Sequence, residues 1–258
     1  MIRHRLHPLV AGLVAVVVGS IAAAAPEASP AETTDLSAGI EAAAAGDFTS
    51  ALDRLEAAAA AAPDDLRPGA EYRQVAIRAG AYDRAIDFFA RLAERHPDSA
   101  AVQLNWGYAY VDKIPDAGAV TQVILADRAL GRFSRAIEIE PTWLALYTRG
   151  NSLVYWPAIF GRTGRAIADL ERAIELASNL PWSAYHARAW ASLGDAHWRL
   201  GDLERAHEVW RQGLERYPGD PGLSARLDRR GERLDLLLEE HYAIGQRVET
   251  HLRELWEG

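Results

Sequence analysis

The chain has 258 residues, 49% of them hydrophobic and 25% charged, with a formal net charge of −8 and no cysteine. This is the composition of a folded globular protein, not a disordered one. The missing cysteine excludes disulfides, thiolate metal sites, cysteine nucleophiles and a lipid-modified N-terminal cysteine, and the acidic balance argues against non-specific nucleic-acid binding.

Residues 1–24 read as a secretory signal peptide. Arg3 and Arg5 form a basic start, Leu9 to Ala25 is an uncharged apolar run, and Ala22 and Ala24 satisfy the small-x-small cleavage rule. At 17 residues, the run falls short of the roughly 20 that a membrane-spanning helix needs. A retained N-terminal membrane anchor is the alternative. Residues 25–34 read as a polar linker, 35–220 as a repeat array, and 221–258 as a capping helix and tail.

The array starts with two helices, Leu36–Ala45 and Ala51–Ala62, around a Gly46-Asp47-Phe48 turn. Alanine gives them high helix propensity but little buried area per residue. A second pair covers about Arg67 to Arg95, with Ala85, Phe89 and Leu92 on its inner face. Ala51 to Ala85 and Pro63 to Pro97 are each 34 residues apart. A third pair begins at Val102, carries Trp106, Gly107 and Tyr110, and continues through Ala129, Phe133 and Ala136. Ala85 to Ala129 is 44 residues, and the excess is assigned to the turn around 111–122. The fourth pair has Gly150 and Leu153, then Ala166, Leu170 and Ala173. Its turn is elongated through Trp156-Pro157-Ala158-Ile159-Phe160-Gly161, with Trp156 expected to end the preceding helix because proline cannot continue it.

The clearest pair is the fifth, Trp190 to Pro218. Trp190, Leu193, Gly194 and His197 share one face of its first helix; Leu203, Ala206, Trp210, Gly213 and Leu214 share one face of its second. Small residues at Gly194 and Ala206 let the helix axes approach, and large ones fill the space around them. This arrangement resembles the tetratricopeptide repeat, with His197 at the position where the family has tyrosine. The resemblance covers roughly residues 35–220. It implies an all-α, right-handed α-solenoid of about five helical pairs with C-terminal capping helices. Leu223 to Leu238 carries a leucine stripe suited to the cap, and Val248, Leu252, Leu255 and Trp256 suggest a last helical segment.

Catalytic patterns are absent. There is no phosphate loop with its lysine, no G-x-S-x-G and no H-E-x-x-H. His186 and His197 are too far apart to share a metal, and no cofactor or metal site is expected. In such arrays the first helix of each pair lines a concave groove. The resemblance then places Arg67, Gln74 and Arg78 in that groove from the second pair, and Tyr108 and Asp112 from the third. Tyr147, Asn151 and Tyr155 follow from the fourth, and Arg188, Asp195, Trp198 and Arg199 from the fifth. The set is rich in tyrosine and arginine, the types enriched at interface hot spots. It fits a partner protein or peptide with an acidic or carboxylate-ending segment. Ile114, Trp156, Ile159 and Phe160 in the elongated turns form a second expected docking patch. The expected function is a non-catalytic interaction scaffold, periplasmic or secreted. The alternative is a structural subunit that self-associates through terminal helices. Asn105-Trp106-Gly107 and Tyr155-Trp156-Pro157, read as turns, also resemble an exported subgroup associated with β-propeller proteins.

Overall fold

The computed structural model describes residues 30–243 and 247–256. The signal-peptide features lie outside the described residues. Ten helices form five antiparallel pairs: α1 (Pro30–Ala44) with α2 (Phe48–Ala61), α3 (Leu66–Ala79) with α4 (Tyr82–Arg95), α5 (Ala100–Lys113) with α6 (Ala119–Ile139), α7 (Trp143–Val154) with α8 (Thr163–Ala177), and α9 (Ala187–Arg199) with α10 (Leu203–Arg216). Two shorter helices, α11 (Pro221–Leu227) and α12 (Glu232–His241), follow. The result is an α-solenoid. No described helix is long and apolar enough to cross a membrane.

Local chemistry explains where the helices begin. Asp47, Asp65, Ser99, Thr142, Asp202 and Asp220 precede α2, α3, α5, α7, α10 and α11. Each side chain accepts from a backbone N–H of the first turn. Within pairs, the helices meet at a glycine. A Cβ added at Gly194 would lie 2.1 Å from the indole nitrogen of Trp210; at Gly107, 2.3 Å from the Phe133 ring; at Gly150, 2.8 Å from Leu170; at Gly39, 2.6 Å from Leu55. Only glycine lets the second helix seat its large residue there. The second pair has Arg73 at this position. There α3 packs through Tyr72, whose ring meets Phe88 at 5.1 Å and Phe89 at 5.8 Å.

Several sequence expectations are corrected. The extra residues of the third pair are mostly helix rather than loop. A 3-10 turn at Ile114–Asp116 leads into α6, which at 21 residues is lengthened at its N-terminal end. Asn105-Trp106-Gly107 is no turn: it lies in the middle of α5, where Gly107 makes room for Phe133. The helix before Trp156 ends at Val154, and Ala158–Phe160 forms another 3-10 turn. The leucine stripe from Leu223 to Leu238 is two helices, parted at Gly231, whose φ of 52° favours glycine. Residues 248–256 are not a helix: they run irregularly, with one 3-10 turn at Arg253–Leu255.

Candidate functional site

The inner face of the solenoid is built from α3, α5, α7 and α9, and the chain fills it with its own C-terminal part. The two halves of the groove are filled differently.

Against α9, the filling is α11 and α12. Asp195 is fully buried and takes a bidentate pair from Arg226, both contacts at 2.6 Å. The same carboxylate accepts from the Tyr242 hydroxyl at 2.8 Å and the Trp210 indole at 3.2 Å. Trp198 donates to Asp235 of α12 at 2.8 Å. Arg199 stacks over Trp198 and Tyr242. Tyr155 meets the Tyr242 ring edge-on at 4.8 Å, and burial pushes its hydroxyl up to about 12. These four groove positions are thus joined to the cap.

Against α3, α5 and the start of α9, the filling is the segment 247–256. Arg73, 0% exposed, anchors it. Its guanidinium lies 4.7 Å over the Tyr108 ring and donates to Asn105 at 3.0 Å, to Asp112 at 2.8 Å and to the backbone carbonyl of Thr250 at 2.8 Å. The Thr250 hydroxyl donates to the other Asp112 oxygen and accepts from Gln74 at 3.3 Å. Burial raises the Asp112 carboxyl, against the pull of Arg73 and Thr250. Arg253 forks onto Glu71 at 3.1 and 2.8 Å, Arg188 pairs with Glu254 at 2.7 Å, and Arg247 reaches Asp116 at 2.9 Å and Tyr82 at 3.0 Å. Between these polar contacts Leu252 is buried in the same apolar cluster as Ala70, Leu104, Tyr108, Leu144, Tyr185 and Ala189.

Other expected groove residues are placed differently. Tyr108 is buried and shares a hydrogen bond with Thr148 at 2.6 Å; Tyr147 stacks on Trp143 at 5.0 Å; Asn151 accepts from Ser192 at 2.9 Å. These three pack between helices. Arg78 is exposed, donates to the carbonyl of Ala43 and stacks on Phe48. Arg67 is exposed at the start of α3. A cavity of about 1190 Å³ remains open between α1, α3 and the stretch before α9. Its walls include Gln74, Arg78, Trp182, Tyr185, Arg188 and Arg253.

The sequence reading missed Glu71, Arg73, Thr250, Arg253 and Glu254. For Arg73 a signal existed. Gly39, Arg73 and Gly107 are spaced by 34 residues, so an arginine stands where the neighbouring repeats have glycine. The carboxylates of Glu249 and Glu254 and the imidazole of His251 lie within 4.8 Å of one another. Two of the three are already engaged: Glu254 holds Arg188, and His251 Nδ1 accepts from the backbone of Arg253 at 3.1 Å.

At the elongated turns, Ile159 is 90% exposed and Phe160 58%, while Ile114 packs against the α5–α6 core. Trp156 is half-buried, edge-on to Phe160 at 5.5 Å and covered by Arg162 at 3.8 Å. Arg162 also reaches Asp127 of α6 at 3.1 Å, which places the fourth turn beside the lengthened helix. Val120, Val123 and Ile124 of that helix are exposed.

Comparison with known proteins agrees with this architecture. Tetratricopeptide-repeat family models match residues 42–104 and 187–227. Among solved structures, the chain is similar to a thermophilic tetratricopeptide-repeat protein of Thermus thermophilus, at 22% identity and a TM-score of 0.53, over 76% of this chain and 97% of that one. It is also similar to the MamA protein, at 19% identity and a TM-score of 0.49 over 72% and 91% of the two chains. MamA of Desulfovibrio magneticus, from residue 41 to its end, is 17% identical with a TM-score of 0.49 over 72% and 95%. The repeats matched at residues 42–104 and 187–227, the glycine-to-large-residue contact that recurs along the array and the helical-pair solenoid together support a protein of the tetratricopeptide repeat family.

Proposed function

We propose that this protein is a non-catalytic interaction scaffold that holds an irregular segment of another protein in its concave groove. One observation carries the reading: the groove already grips an irregular stretch of chain, residues 247–256, through side chains of α3, α5 and α9. The open cavity beside that stretch, with Arg78, Trp182 and Tyr185 on its walls, gives a partner a place to begin. Arg188, which holds Glu254, suits an acidic or carboxylate-ending segment. The alternative of self-association through the terminal helices draws on α12, whose Leu234 and Leu238 are already fully buried within the chain. That makes it the weaker reading.

A photo-crosslinking residue placed at Arg78, and separately at Trp182 and at Phe160, tests this in the native host; Arg78 and Trp182 report on the groove. One and the same partner captured from both positions supports the groove. A partner captured only from Phe160 moves the interface to the elongated turns. The basic start, apolar run and Ala22-x-Ala24 site support export. N-terminal sequencing of native material is expected to begin near Ala25, and an intact Met1 on a soluble protein refutes it.

A further inference from the structure

The segment 247–256 is attached to the fold differently from the cap. Helices α11 and α12 bury Leu223, Leu234 and Leu238 completely and join a continuous apolar cluster with Trp210. The segment inserts Leu252 into the apolar cluster of the groove, and Trp256 packs at the edge of that cluster; its other anchors are hydrogen bonds and ion pairs. Arg247, Glu249, Arg253 and Leu255 stay exposed. Leu252 also takes a left-handed conformation, φ 59° and ψ 11°, which is costly for a leucine. Polar clamps, one apolar plug and a backbone out of its comfortable range describe a bound peptide better than a core element.

The receptor side supports the same view. Arg73 is buried, and its Nη2 donates to a backbone carbonyl of the segment. Glu71 is 5% exposed and is matched by Arg253. Glu71 and Asp112 on one side and Arg188 on the other offer both signs of charge, so the site is not simply basic.

We infer that Thr250-His251-Leu252-Arg253-Glu254 is an intramolecular ligand of the groove, and that partners displace it with a segment of the same chemistry. The inference rests on the groove reading above. Such a segment has a small hydroxyl residue whose carbonyl meets Arg73 and whose hydroxyl meets Asp112. A leucine-sized apolar residue follows two positions later, and then a basic residue for Glu71 and an acidic one for Arg188. The segment follows the end of α12 by only residues 242–246 of sequence, so its effective concentration is of order millimolar. A free peptide of micromolar affinity must then be suppressed by about a hundredfold or more in the intact chain.

The probe is a fluorescein-labelled peptide of residues 246–258, with anisotropy read on the full chain. Binding is expected to be weak to the wild-type chain and about a hundredfold tighter to the full chain carrying Leu252→Asp and Arg253→Glu. Adding Glu71→Arg to that chain is expected to abolish binding of the wild-type peptide and restore binding of a peptide with Arg253→Glu. Equal affinity for the wild-type and tail-substituted chains, or no binding to either at millimolar peptide, overturns the inference. Amide exchange on the unaltered chain checks it without a variant. Residues 247–256 are expected to exchange faster when the peptide is in excess, and unchanged exchange overturns it. A wild-type dimer that dissociates on the tail substitutions would assign the segment to exchange between two copies, and the intramolecular arrangement would fall. Because the peptide is the chain's own, failure here leaves the crosslinking at Arg78 and Trp182 as a separate result.

Discussion

At the scale of single residues, the glycine on the first helix of a pair sets the distance to the second. Gly194→Ala drives a methyl into the Trp210 indole, and the overpacking is expected to cost about 1–3 kcal/mol. Trp210→Ala removes a side chain with no exposed surface and should cost about 3–5 kcal/mol. Urea midpoints measure both. If neither moves, the alignment of Gly194 with Trp210 is wrong. Arg73 is the opposite case, a large charge where its neighbours have glycine. Arg73→Ala leaves Asp112 buried without its cation, with only the Thr250 hydroxyl still donating to it, a loss expected to cost about 3–5 kcal/mol. Arg73→Ala with Asp112→Ala should recover part of it, since the uncompensated charge is then gone. A double variant no more stable than Arg73→Ala alone would show that the pair is not what holds this region.

At the scale of elements, the lengthened α6 and the turn after α7 lie side by side, tied by Arg162 to Asp127. Their apolar residues do not close over one another: Ile159, Phe160, Val120, Val123 and Ile124 all face outward. Trp156 is the covered member, beneath Arg162. Phe160→Ser is therefore expected to leave the urea midpoint within about 0.5 kcal/mol of wild type, as for surface sites generally. Trp156→Ser should be the more costly of the two. If Phe160→Ser also lowers binding of a partner found by crosslinking, the turn is a docking surface. If it lowers stability as much as Trp156→Ser does, Phe160 belongs to the core.

At the scale of the whole molecule, stability should depend on pH through one buried and two half-buried imidazoles. Burial lowers the proton affinity of His186, which is 8% exposed beside Trp143, and of His197 and His207. An unfolded histidine takes its proton near pH 6.5, and these groups in the fold only below that. The unfolded state thus binds more protons in this window, so stability is full above about pH 6.5 and falls as pH drops through the lower folded values. Urea midpoints at pH 7.5 and 5.5 measure the fall, and His186→Phe should reduce it. A midpoint that rises on acidification would contradict the lowered proton affinity of these imidazoles.

Much of this architecture is local in origin and therefore legible in the chain. The spacing of Ala51 and Ala85, the capping residues, and the face shared by Trp190, Leu193 and Gly194 each depend on residues within one repeat or its neighbour. A stacked array buries mainly what adjacent repeats supply, so reading neighbours is nearly enough to read the fold. Several of the expected groove positions meet the chain's own C-terminal part: Asp112 meets Thr250, Arg188 meets Glu254, Asp195 meets Arg226, Trp198 meets Asp235 and Arg199 meets Tyr242. What fills that groove was not legible. Thr250 meets Arg73 and Asp112 across more than a hundred residues of chain, and Arg253 meets Glu71 across still more. No periodicity links such distant positions, and residues 223–238 read as one helical stripe and 248–256 as a last helical segment, whereas Gly231 and Leu252 take positive φ and break both. The helices and their pairing were decided by side-chain spacing. That the chain returns to occupy its own inner face was decided by charges and a single buried leucine that only the folded superhelix brings within reach.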